Sequence, residues 1–538
     1  MRRWNGWGDS ARDMTLPDSA GALLSELLGP ASPLPDASLD EALSRVPASR
    51  LESVDHSLVE TAPEIRLRHA CGQSLPDWLA MRSGRFPVLP DAIARPQSRA
   101  EVGALLQLAR RLDAVIIPYG GGTSVAGHIT PARSQRPIIT VAMTRMSRLT
   151  DLDEASGLAT IGAGANGPQV EAQLRAKGYT LGHFPQSWEL STLGGWVASR
   201  SSGQQSMHYG RIEQLFAGGH LETPAGALDI PTFPASAAGP DLRELVLGSE
   251  GRLGILTEAS MRVSPLPDQE RFLTLFLPDW HQALGCAREL VRARIGLSML
   301  RVSNPAETRT SLRLAVDGRR LAAIERLLAM RGAGDDKCML TLGLSGSRRQ
   351  LGAGWQQART VLRAYGAIGL LARRLGRTWS HGRFRYPYLR HALWKLGYAV
   401  DTFETALDWS RVERYVAAVE ARLTAGLADQ GERVHAFTHL SHVYRQGSSA
   451  YTTYLFRVGD SYASTQARWR RLKQIASGTI VAHGGTISHQ HGVGRDHAPY
   501  LGEEKGALGL ATIGRVFDGF DPERRMNPGV LIDRDGQP

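Results

Sequence analysis

Hydrophobic positions along this chain follow two alternating rhythms. Over Ser98–Leu112, Val102, Leu105, Leu106 and Ala109 recur at helical spacing behind a Ser98 N-cap, with Glu101 three residues on. The run that follows, Ala114–Pro118, is unbroken and reads as a buried strand. Pro137–Ala142 and Leu158–Ala163 repeat the strand signal. Asn166 then opens a second helix, with Val170, Leu174 and a closing Gly178 in register. Strand and helix alternating through glycine-rich turns predict mixed α and β layers over residues 86–267. The texture changes near Asp268. Arg271–Leu277 and Lys337–Leu344 read as strands, and His281–Arg294 and Gly318–Met330 as helices, giving a second α+β unit over 268–431. Residues 432–538 hold a strand at Tyr451–Arg457, a helix over Ser461–Ser477, a Gly/His-rich loop over His483–Gly494 and a last helix over Glu503–Phe517. Residues 1–85 read as an N-terminal extension, loose between Leu16 and Arg50, with helical turns near Ala22–Leu28 and Leu39–Arg45.

The turns carry the candidate chemistry. Pro118-Tyr119-Gly120-Gly121-Gly122-Thr123-Ser124-Val125 follows the first buried strand. Bare glycines let backbone N–H groups converge on an anion, and Thr123 and Ser124 add hydroxyl donors, which suits a diphosphate. No Gly-Lys-Ser/Thr follows, so this is not a Walker loop. Gly162-Ala163-Gly164-Ala165-Asn166-Gly167 fits a dinucleotide fingerprint. Its downstream stretch Leu181–Ser187 lacks the acid that would hold a ribose, which excludes a nicotinamide site. Two more clusters, Ser191–Ser199 with Ser202-Gly203, and Leu247–Ile255, bring the glycine- and hydroxyl-rich turns to four. That supply of backbone donors suits a long, flat cofactor bearing a diphosphate.

Composition narrows the setting. Three dispersed cysteines argue against a disulfide framework or zinc ribbon and for a reducing compartment. The basic N-terminus has no apolar signal core, and no apolar run is long enough to span a bilayer, so a cytoplasmic location is expected. The net charge of +11 favours anionic partners. Arg359–Gly397 contains no Asp or Glu but has nine Arg or Lys, interleaved with Trp379, Phe384, Tyr386, Tyr388 and Trp394. It reads either as a solvated helix face with a loop or as a patch for phosphate or a membrane surface. No nucleic-acid motif accompanies it.

The order of these motifs resembles the vanillyl-alcohol-oxidase / p-cresol-methylhydroxylase (PCMH-type) family of FAD proteins, in its alkyldihydroxyacetonephosphate-synthase-like branch. The matching residues also include Arg3-Trp4-Asn5-Gly6-Trp7-Gly8, His183-x-Pro185-x-Ser187, Gly248-Ser249-Glu250-Gly251, His489-x-His491-Gly492-Val493-Gly494 and Met526-Asn527-Pro528-Gly529. The resemblance implies an α+β fold: a two-subdomain PCMH-type FAD-binding domain, an α+β cap and a C-terminal helical segment completing the active site. It implies FAD held without a covalent bond, with Pro118, Gly120, Gly121, Gly122, Thr123 and Ser124 at the diphosphate. Pro185, Ser187, Thr192, Gly195, Ser199, Ser202, Gly203, Glu250 and Ile255 would line the rest. His128 is expected to be structural rather than a tether.

The implied reaction is a redox-neutral exchange of acyl for alkyl on a phosphorylated glycerone. Its alternative is an FAD-linked dehydrogenase or oxidase of a D-2-hydroxy acid or alcohol. Tyr451 matches the catalytic tyrosine, a base only if a nearby cation such as Arg390 or a histidine lowers its pKa. Arg390 matches the phosphate-pairing arginine, Arg301 a further active-site arginine, and His489 and His491 the histidine run. Two departures stand out: Gln490 replaces the central histidine, and Arg252 stands where threonine is usual, near the flavin. His439 and His442 have no companion carboxylate in sequence, so no metal is expected. The implied partner is a phosphorylated or acidic lipid-like substrate, with peripheral membrane contact and a homodimer left open.

Overall fold

The computed structural model describes residues 2–532 apart from Asp18 and Asp317. Sheets of four, five and six strands organise these residues. In the first, Val59–Glu60, Ala92–Ala94, Ile138–Ala142 and Val115–Tyr119 lie side by side, and the last three run parallel. Parallel neighbours need a crossover, and the helix Arg99–Arg111 supplies it. Ser98 caps that helix by accepting from Glu101 N, and Val102, Leu105 and Leu106 pack on Ile116, Ile139 and Val141. The second sheet is antiparallel, in the order Leu149–Asp153, Leu158–Gly162, Ile255–Arg262, Phe216–Thr223, Gly226–Ile230.

The third sheet is antiparallel throughout: Gln269–Leu277, Cys338–Gly346, Met299–Ser303, Val434–Leu440, Gly447–Arg457, Tyr398–Asp408. Helices Trp280–Arg292, Arg348–Ala364 and Trp409–Thr424 cover one face and share its apolar core. The boundary expected at 431/432 falls inside this sheet. Val434–Leu440 and Gly447–Arg457 complete the sheet's interior, so one folded unit spans the two segments read separately from sequence.

The N-terminal extension is not loose. Leu24 and Leu28 are buried against Leu393, Tyr398 and Leu455, and Tyr398 Oη donates to Gly29 O at 2.7 Å. The C-terminal stretch returns to the first sheet. Ile116 N donates to Arg525 O and Asn527 N donates to Ile116 O, each at 2.8 Å, alongside the strand Val115–Tyr119. The basic stretch is only partly solvated. Arg383 is buried beneath the rings of Phe184, Phe272, Trp379 and Phe384, where aromatic faces rather than carboxylates receive the cation. Among the described residues, no helix is long and apolar enough to cross a membrane.

Candidate active site

A cavity of about 680 Å³ runs from the glycine-rich loop of the first domain to the six-stranded sheet of the second. Its first half is built from turns stripped of side chains. A β-carbon on Gly121 would collide with the Leu190 carbonyl, and Gly122 has φ of +67°. These glycines let the loop pack against Leu190 and Tyr119 while leaving bare backbone along the cavity wall. Pro118, Gly120, Gly121, Gly122, Thr123 and Ser124 all line it, as do Pro185, Ser187, Thr192, Gly195, Ser199, Glu250 and Ile255. The glycine- and hydroxyl-rich lining and the size of the cavity fit FAD. Ser202 and Gly203 are not on the wall. Ser202 Oγ lies 3.2 Å from His442 Nδ1, and a β-carbon on Gly203 would press on Phe184 N.

Glu250 joins the two halves. It adopts a left-handed φ of 52° that a carboxylate residue rarely takes. Its side chain accepts from Val493 N and from Gly494 N, the latter at 2.8 Å. Asn527 Nδ2 holds the same turn, donating to Glu250 O at 2.7 Å and to His128 O at 2.9 Å. His128 sits between the Ser124 hydroxyl and Glu250 Oε1, 3.3 Å away. Burial disfavours its charged form, but the Glu250 carboxylate outweighs that and raises its pKa. Arg252 does not reach the cavity. It donates to Asn527 O at 3.2 Å and lies over Phe517, so its departure from the family pattern concerns packing, not the flavin.

The second half carries the candidate catalytic groups. Tyr451 faces His439 across one strand neighbour and Glu404 across the other. Its ring stacks on His439 at 4.8 Å, and its hydroxyl donates to Thr402 Oγ1 at 3.0 Å. The depressed pKa that a base would need is reversed. Burial pushes the phenol above its ordinary value, and Glu404 and Asp401 push the same way. Tyr451 is therefore a neutral proton donor in this site. His491 is edge-on to the Tyr451 ring and lines the cavity; burial brings its pKa down to about 4. Arg390 also lines the cavity. Nη1 donates to Gln73 O at 2.6 Å, while Nε and Nη2 are buried without a partner. Burial lowers its pKa to about 10, which leaves it charged at neutral pH.

Arg301, on the wall, is engaged: Nη2 donates to Glu307 Oε1 at 2.7 Å and lies 3.2 Å from His439 Nδ1. Burial opposes ionisation of Glu307, but His439 and Arg301 overcome it and hold its pKa near 2. His489 is not on the wall. Arg211 Nη1 donates to its Nε2 at 2.6 Å, and its Nδ1 lies 3.4 Å from Glu404 Oε1. Gln490 does line the cavity and donates through Nε2 to Glu404 Oε2.

Sequence distance hid the carboxylates. Glu307 accompanies His439, and Glu404 accompanies His442 and His489 with candidate ligand atoms within 4.8 Å of one another. The donor chemistry does not fit a metal. With Arg211 donating to Nε2, the proton of His489 must stand on Nδ1, facing Glu404, where a metal would have to bind. Glu404 is instead the buried anion of a histidine network. Burial opposes its charge, yet His489, His442 and His491 hold its pKa well below the carboxylate range. Other wall residues that sequence reasoning missed are Trp7, Met14 and Leu16 from the extension and Asp401 from the cap, each placed by long-range packing.

A family profile described as FAD binding domain matches residues 90–228, and one described as FAD linked oxidases, C-terminal domain matches 266–531. The chain is 29% identical to alkyldihydroxyacetonephosphate synthase of Dictyostelium discoideum, covering 98% of this chain and 93% of that one. It is 27% identical to the Trypanosoma brucei brucei synthase, over 98% and 92%. A solved alkyldihydroxyacetonephosphate synthase superposes with a TM-score of 0.84 at 26% identity, over 98% of both chains. A p-cresol methylhydroxylase structure shares the fold, with a TM-score of 0.67 at 12% identity over 94% of this chain and 100% of that one. The chain belongs to the FAD-linked oxidases, an FAD-binding domain joined to an FAD-linked-oxidase C-terminal domain, and shares its fold with p-cresol methylhydroxylase.

Proposed function

We propose that this chain is an FAD-dependent enzyme of the alkyldihydroxyacetonephosphate-synthase type, replacing the acyl chain of an acyl-dihydroxyacetone phosphate with a long-chain alcohol. The observation that carries this reading is Arg390. Its charged guanidinium lies over the Trp78 ring at 4.6 Å, lines the cavity and has two nitrogens without a hydrogen bond, and its fork suits a phosphate. Leu16, Leu314, Leu389, Val400 and Phe437 add an apolar wall suited to an alkyl chain. Bound FAD, held without a covalent bond, supplies the reactive ring. His491 carries no hydrogen bond among the described residues, is neutral, and accepts the proton released from the glycerone carbon. Tyr451 donates its hydroxyl proton to the departing carboxylate and regains one from the hydroxyl of the incoming alcohol, while the proton held by His491 returns to the glycerone carbon. Glu404 keeps Gln490 and the histidines oriented around them.

The test is incubation of purified protein with acyl-dihydroxyacetone phosphate and a labelled long-chain alcohol, while flavin absorbance is followed anaerobically. Label should enter the lipid without net flavin bleaching. Bleaching by a D-2-hydroxy acid, with no label incorporated, would replace this reading by the dehydrogenase alternative. That second reading draws on Arg301 and His439 at the wall, a cation beside a histidine suited to a hydroxy acid.

A further inference from the structure

A second pocket, of about 280 Å³, opens on the outer face of the cap and shares no residue with the flavin cavity. Arg271 on the edge strand, Arg359 and Arg363 on the helix Arg348–Ala364, and Arg373 at the start of the helix Ala372–Gly382 converge on it. None of the four guanidinium groups forms an ion pair or hydrogen bond among the described residues. Relief from a neighbouring acid is absent along the chain, because residues 337–400 contain no Asp or Glu. Glu270, next to Arg271, points to the other face of the strand, where Gln205 Nε2 donates to it at 2.7 Å and Ser345 Oγ at 3.1 Å.

Four like charges gathered without counter-ions repel one another, so their convergence favours an anion from outside. The floor beneath them is apolar, made by Leu273, Leu275 and Trp355. A free phosphate gains nothing from that floor, whereas a phosphate attached to glycerol and the start of an acyl chain covers it. The pocket is at the lower limit of small-molecule sites, large enough for a headgroup but not for a whole lipid. Beside it Leu371 is 52% exposed at φ of 54°, and the adjoining helix presents Arg374 and Arg377 to solvent. An exposed leucine flanked by arginines matches a surface that enters the interfacial layer of a bilayer.

We propose that this pocket binds the phosphate headgroup of an anionic phospholipid and seats the protein on an acidic bilayer through the outer face of its cap. The proposal is independent of the reaction catalysed. It is tested by co-sedimentation of the flavin-loaded protein with phosphatidylcholine vesicles, with and without phosphatidic acid. Binding should require phosphatidic acid. The triple replacement Arg359→Ala, Arg363→Ala and Arg373→Ala should weaken it roughly 100-fold, at about one surface arginine's worth each. The control triple Arg319→Ala, Arg320→Ala and Arg326→Ala removes equal charge from the exposed face of another helix. It should leave most of the binding intact. Flavin absorbance reports folding in both. Brominated acyl chains should quench Trp355, read as the difference from Trp355→Phe. Equal losses in the two triples, binding to neutral vesicles, or displacement by millimolar glycerol phosphate would each overturn the proposal; the last would make a soluble phosphate the ligand.

Discussion

At the residue scale, burial decides what each titratable group can do. Arg390 keeps its charge while two of its nitrogens lack a partner. Replacing it with alanine removes charge-assisted hydrogen bonding worth about 1.5–3 kcal/mol in all, so KM for the phosphorylated substrate should rise by roughly 10- to 100-fold. FAD content should stay unchanged; an unaltered KM refutes the phosphate role. Tyr451→Phe should lower kcat by about 10²- to 10⁴-fold, as expected on losing a positioned proton donor, with the flavin spectrum intact. Away from the site, Glu420 is pushed up to about 7 by burial, with Asn304 Nδ2 donating to it at 2.7 Å. Its folded pKa lies above its unfolded value, so the stability it contributes is full below pH 4.5 and is lost as pH rises to about 7. Glu420→Gln should remove that decline, worth about 3 kcal/mol, from urea-melt stabilities measured between those pH values. An undiminished decline in the variant would exclude Glu420 as its source.

Elements show where sequence was legible and where it was not. The caps and turns are local, and they were readable. Ser98, Asn166 and Ser461 each accept from a backbone N–H three residues on, and the helices start where the pattern placed them. The cavity-lining glycines were readable too, because a loop that must approach a ligand closely needs them. Strand register was not readable. Only the pairing of three neighbouring strands, Val434–Leu440, Gly447–Arg457 and Tyr398–Asp408, sets Tyr451 between His439 and Glu404. The same pairing places a carboxylate behind Gln490. A histidine at that position would meet Glu404, gain proton affinity and become a charged donor on the cavity wall. Gln490→His should therefore increase alcohol exchange if proton transfer limits it, and shift the pH–rate profile upward. An unchanged profile would show that Glu404 does not reach the substituted ring.

For the whole molecule, the extension that looked loose is part of the flavin cavity. Arg2 Nη2 donates to Gly121 O at 2.6 Å, and Trp7, Met14 and Leu16 line the wall. Deleting residues 2–17 should speed FAD release, measured by fluorescence recovery on dilution; an unchanged rate would make the extension ornamental to cofactor retention. Nothing in the amphipathic pattern of those residues announces this, because their partners lie more than a hundred positions away.

The other end of the chain has a consequence in time. Asn527 and Arg525 hydrogen-bond to the strand beside the glycine loop, and Asn527 fastens the Glu250 turn. These residues lie about four hundred positions after the strand they complete. A nascent chain synthesised only as far as the cap therefore carries an unfinished cradle for its coenzyme, and loading with the yellow prosthetic group waits until residues 525–527 have been made and have folded back.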